Sequence, residues 1–157
     1  KNPESFEQWG TFITTPSIST SAATVNIKAG ATGQNIALVT KVLDADGKVV
    51  ATLKTTDIKN NQFEQNLTVP NPKLWSPETP YLYTAVKQLF AGNVLKDEEM
   101  TKFGIREIKY EANKGFSLNG KVTKFKGVCL HHDLGPLGAA VNKAALRRQM
   151  AILKDLG

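Results

Sequence analysis

At 157 residues, with 41% hydrophobic and 22% charged, the chain has the size and composition of one ordinary folded domain, or of a domain of about 100 residues plus an incomplete second unit. The formal charge of +6 comes from lysines spread along the whole sequence rather than gathered with aromatics into a stripe, which argues against a nucleic-acid surface. No apolar run reaches the roughly 18 residues of a membrane span, and a lone cysteine, Cys129, rules out an internal disulfide framework.

In chain order, residues 11–19, 23–29, 35–43, 49–56, 62–69, 82–89 and 94–103 read as short β-rich segments separated by turn residues. Several alternate apolar with polar positions, and seven such strands make an immunoglobulin-like β-sandwich, expected over residues 1–110. Whether the first eight residues form a linker is left open. Asp44-Ala45-Asp46-Gly47 and Ala91-Gly92-Asn93 supply turn residues for hairpins. Between residues 70 and 80 stand four prolines, so that stretch is expected to be a crossover loop, with Trp75 plugging one end of the core.

After Tyr110 the pattern changes. Asn119-Gly120 centres a tight hairpin over residues 116–122, and residues 125–130 read as a short apolar strand in which Cys129 is expected to be buried. Asn142 is an N-cap for a closing helix, Val141 and Leu146 form a hydrophobic staple, Leu146, Met150, Leu153 and Leu156 share a face, and Gly157 stands as the C′ stop. Strand, loop and amphipathic helix make half a βαβ unit, which needs a following parallel strand; the alternative is a helix folded back onto the sandwich as a complete α+β domain. In the first reading the uncovered faces of residues 125–130 and of the helix are expected to self-associate.

Four runs are familiar in sequence: Leu74-Trp75-Ser76-Pro77-Glu78-Thr79-Pro80-Tyr81-Leu82-Tyr83, Phe103-Gly104-Ile105-Arg106, Phe116-Ser117-Leu118-Asn119-Gly120-Lys121, and Lys126-Gly127-Val128-Cys129-Leu130-His131-His132-Asp133. In this order they resemble glycoside hydrolase family 2. The run from His131 to Gly138 looks closest to the β-galactosidase branch, with β-glucuronidases and β-mannosidases open; relatives carry Asn at the position of Cys129. The resemblance implies a sandwich bracing a jelly-roll domain and a catalytic TIM barrel, with residues 111–157 as the start of the (β/α)8 barrel: hairpin, strand and helix. It implies a retaining mechanism whose two catalytic glutamates lie beyond residue 157, so no residue here is assigned a catalytic role and the stretch alone is expected to be inactive. It also implies that His131 faces the sugar and Asp133 contacts sugar hydroxyls; within these 157 residues no cofactor or metal is expected. The expected partners are the parent's remaining domains and, through the parent, a carbohydrate. If a leader has been removed upstream, a periplasmic or secreted location is favoured.

Other groups give way to plainer readings. Glu98 and Glu99 are strand neighbours facing opposite sides and are expected to be ordinary surface charges; Glu107 and Glu111 lie on linking segments without a paired acid or base. His131, His132 and Asp133 cannot close a four-ligand zinc site. Cys129 shares a strand face with His131, which would permit thiolate activation, but the buried reading is preferred. Arg147 and Arg148 are expected on a solvated helix face. A second function class is a free-standing carbohydrate-binding or adhesive module, with Trp9, Trp75 and Tyr81 as its aromatics.

Overall fold

The computed structural model describes residues 3–131 and 134–156, in two compact units, Lys1–Val122 and Thr123–Gly157. In the first unit, β1 (Ser5–Ile18), β2 (Ala22–Thr32) and β5 (Gln62–Pro70) form one antiparallel sheet in the order β1-β2-β5. The facing sheet, β4-β3-β6-β7, is built from β3 (Ile36–Leu43), β4 (Val49–Thr55), β6 (Tyr83–Ala91) and β7 (Val94–Phe103). All seven expected strands form, and the 3 + 4 arrangement is that of an immunoglobulin-like sandwich.

The two-residue period of β2, β5 and β6 sends Val25, Ile27, Leu67, Val69, Tyr83 and Ala85 inward, where they close one end of the core with Ile105. Phe6, Ala29, Leu38, Phe63 and Leu89 close the other. Between these clusters β3, β5 and β6 each put a polar residue at an inward position: Thr40 between Leu38 and Val42, Gln65 between Phe63 and Leu67, and Lys87 between Ala85 and Leu89. Gln65 Nε2 donates to the carbonyls of Leu38 and Leu53.

Lys87, fully buried, donates to Glu99 Oε2 at 2.6 Å across the β6–β7 ladder and to the Thr11 hydroxyl on β1, with its Nζ 5.0 Å from the centre of the Phe6 ring. Thr11 Oγ1 in turn donates to Glu99 at 3.0 Å, and Asp97 accepts the Phe6 N–H at 2.8 Å. Charged groups of one sheet thereby hold the first strand of the other. Glu99 is therefore no ordinary surface carboxylate; its neighbour Glu98 stays outside and accepts from Gln88.

Strand β1 begins six residues before the expected segment because Phe6 pairs with Ala31 and is buried. A bulge follows, and within it Trp9 takes a φ of 63° and is 93% exposed. This irregularity hides the strand's start from a period-2 reading.

The hairpin expected to open the second domain belongs to the first unit. It is a three-stranded sheet of β8 (Ile108–Glu111), β9 (Gly115–Leu118) and β10 (Lys121–Val122), with Asn119 and Gly120 at φ 51° and 77°, so the compact boundary falls after Val122. In the second unit, a 3-10 turn (Gly135–Leu137) precedes α1 (Lys143–Asp155), and Asn142 Oδ1 caps the helix by accepting from the N–H groups of Ala144 and Ala145. Residues 125–130 do not form the expected strand: among the described residues no ladder includes them, and extended backbone becomes a strand only when a partner takes its N–H and C=O groups. Cys129 is exposed, since a segment outside a sheet has no inward face.

Burial pushes the Lys87 amine below its usual value, with the Glu99 carboxylate opposing that shift. Truncating Glu99→Ala leaves a buried charge unpaired and is expected to destabilise the fold by about 3 kcal/mol, whereas Lys87→Met should stay within about 1 kcal/mol of the parent because half-exposed Glu99 can hydrate. Between the lowered folded value and the ordinary 10.5, the unfolded chain holds a proton that the folded chain has released, so the parent should gain stability relative to Lys87→Met as pH rises through that window. Urea melts of the three proteins across that range check both expectations.

Candidate functional site

Three of the four familiar runs meet at one junction. The crossover loop brings Trp75 beside the chain leaving β7, where its N–H donates to Ile105 O at 2.8 Å. Asn119, at the hairpin tip, donates from Nδ2 to Trp75 O at 3.0 Å, accepts the Glu107 N–H on Oδ1 at 3.0 Å, and donates its own N–H to Glu107 O at 2.9 Å. Trp75 thus has its N–H bonded to the segment between sandwich and hairpin and its carbonyl bonded to the hairpin tip. Gly104 lies so close that a Cβ there would come within 2.7 Å of Trp75 Cβ. Thr15 Oγ1 on β1 donates to Arg106 O at 2.6 Å.

The same loop is tied down at its flanks. Buried Tyr83 accepts the Lys73 N–H at 2.8 Å on its hydroxyl, the arrangement of a tyrosine corner, and burial raises that phenol above its ordinary value. Tyr81 accepts the Ala45 N–H at 3.1 Å, and Lys73 sits over its ring at 4.9 Å. Ser76 and Thr79 hydrogen-bond each other and close the Ser-Pro-Glu-Thr turn.

Trp75 does not plug the core as expected. Leu74 and Tyr81 pack against the buried cluster, while the Trp75 ring is half-buried and stacked at 4.8 Å by the Arg106 guanidinium. It lines a groove of about 660 Å³ with Ile13, Thr14, Leu82, Lys102 and Phe103. The groove was not legible as a site in sequence; its one signal was Arg106 placed two residues after Gly104.

Of the expected sugar contacts, Asp133 lies outside the described residues, as does His132. His131 is exposed and borders a cavity of about 110 Å³ with Leu130, Leu134, Val141, Leu146 and Gln149. That is below the roughly 300–1,000 Å³ of a self-sufficient ligand pocket. Glu107 and Glu111 are ion-paired with Lys109 and Lys114 at 2.9 and 3.0 Å. Among the described residues no three metal-binding side chains gather. Nor do the aromatics form a shared platform: Trp75 and Tyr81 each have a face covered by a cation.

The first unit is thus a 3 + 4 immunoglobulin-like sandwich with its exit segment fastened to a hairpin. The chain belongs to the glycosyl hydrolases family 2, whose family pattern matches residues 10–106. It is 41% identical, over 95% of its length, to a β-galactosidase of Bacteroides ovatus, and spans 19% of that protein. Among solved structures it is similar to a family 2 member from Bacteroides cellulosilyticus, with TM-score 0.90, 38% identity, and coverage of 99% of this chain and 23% of that one. It also resembles the Ruminococcus gnavus β-glucuronidase, with TM-score 0.84, 28% identity, and coverage of 98% and 24%. The chain therefore spans about a fifth to a quarter of these three proteins.

The junction makes a specific stability prediction. Asn119→Gly keeps the positive φ but removes both side-chain hydrogen bonds, and it should cost about 1–3 kcal/mol in a denaturant melt, with faster amide exchange at Glu107.

Proposed function

We propose that this chain is the bracing segment of a longer retaining β-glycosidase that removes terminal β-galactosyl groups. Its sandwich spaces the parent's sugar-binding and catalytic parts, and the stretch around His131 and Asp133 supplies one edge of the sugar site. The observation that carries the reading is the junction at Trp75, which makes sandwich and hairpin one fastened element ahead of the His131 segment. The choice of galactose rests on the 41% identity with the Bacteroides ovatus β-galactosidase. A β-glucuronidase parent is the second reading, favoured by the likeness to the Ruminococcus gnavus enzyme.

In this reading the tail from residue 123 onward is the opening of a TIM barrel. Its exposed apolar side chains, among them Phe125, Val128, Val141, Ile152 and Leu156, are covered by the rest of that barrel, and left uncovered they drive self-association.

Glycoside hydrolysis of the retaining kind needs two carboxyl groups about 5–5.5 Å apart, one acid and one nucleophile. The carboxylates of the junction segment are instead engaged with lysines. The purified 157-residue chain should therefore show no turnover of chromogenic β-galactosides or β-glucuronides, while the longer parent should hydrolyse the galactoside in preference. Sustained hydrolysis by the chain itself, copurifying with it through successive columns, would overturn the bracing role.

A further inference from the structure

The groove at the end of the sandwich carries a charge pattern that the bracing role does not use. Its lining residues include two cations, Lys102 and Arg106, and no carboxylate. Among the described residues neither side chain has an ion pair or a hydrogen-bond acceptor, whereas Lys28, Lys59, Lys87, Lys109 and Lys114 are each paired with an acid. Arg106 is also held in place. Its guanidinium lies over the Trp75 ring at 4.8 Å, and its carbonyl accepts from the Thr15 hydroxyl, so the backbone is anchored and stacking orients the fork while its edge donors stay unspent. A planar, pre-oriented guanidinium is suited to grip a carboxylate with two parallel hydrogen bonds.

The remainder of the lining describes what the carboxylate is attached to. Ile13, Leu82, Phe103 and Ile108 supply apolar surface, Thr14 supplies a hydroxyl, and about 660 Å³ lies within the range of small-ligand sites. An apolar wall for the C–H face of a pyranose, a hydroxyl to bond its hydroxyl groups and a forked cation for its acid group together describe a sugar acid. A single acidic side chain from a protein partner would use the cations but leave much of the groove unfilled. We infer that this groove is a non-catalytic saccharide site that binds uronate-bearing glycans, with Arg106 gripping the carboxylate and Lys102 supporting it.

This site lies wholly within the first unit and does not depend on which sugar the parent cleaves. A chain that hydrolyses nothing can still bind here, so the two proposals fail separately.

The test is an amide NMR titration of the 157-residue chain with a glucuronate-terminated disaccharide and with its neutral glucose-terminated counterpart. The inference expects saturable shifts at Thr14, Lys102, Phe103 and Arg106 with the uronate, and binding at least about tenfold weaker for the neutral sugar. Arg106→Gln should abolish those shifts while leaving the core spectrum unchanged. Lys102→Gln, on an exposed side chain, should weaken them and keeps the test valid if the first variant fails to fold. Equal response to both sugars, no saturable response, or shifts confined to the His131 region would overturn the inference. So would an acidic peptide that occupies the same residues more tightly than the uronate, which would make the groove a protein-docking surface.

Discussion

The first unit depends on how the backbone of Trp75 is satisfied. A loop with four prolines between residues 70 and 80 cannot build a ladder of its own, because proline has no N–H to give. Its non-proline groups must find partners elsewhere, and Trp75 finds them on Ile105 and Asn119, one on the segment leaving β7 and the other at the hairpin tip. The constraint that organises a poor strand former thus joins the sandwich to the sheet β8-β9-β10. Gly104 permits the close approach and Asn119 supplies both the left-handed turn and the amide that reads Trp75 and Glu107 together. Three sequence runs lying far apart in the chain are in this sense one structural feature.

A second constraint works inside the sandwich. The core is divided into two apolar clusters by the inward residues Thr40, Gln65 and Lys87. Apolar burial alone is non-directional and tolerates slippage of one sheet over another. Lys87 adds direction, because its ammonium reaches Glu99 on β7 and Thr11 on β1 at once. Burial lowers the basicity of that amine and the Glu99 carboxylate restores part of it, so the pair fixes the register of β1 against the opposite sheet more than it adds stability.

The sequence made the sandwich legible because its strands alternate cleanly and its turns carry glycine and asparagine where the backbone needs them, as at Gly47, Gly92 and Asn119. The start of β1 was hidden by the bulge at Trp9, which breaks the alternation that a period-2 reading follows. Lys87 was hidden for a different reason: a charged residue in a strand is counted as surface until its cross-strand partner is known, and Glu99 becomes that partner only through the β6–β7 register. Residues 125–130 read as a strand from composition, but pairing is not a property of one segment, and the described residues include no ladder for it. For the candidate site, His131 was named from resemblance alone and borders only a small cavity. Arg106 was visible within its run, but its stacking on Trp75 depends on two loops meeting in space.

Sandwich and hairpin are held as one cooperative element by the Trp75 junction. Native-state hydrogen exchange of the Trp75, Glu107 and Asn119 amides, set against core amides of β2 and β3, measures this directly. The junction amides are expected to open only with the core, at the same free energy and with the same denaturant dependence. Exchange of the junction through a separate, low-energy opening while the sandwich stays protected would contradict it.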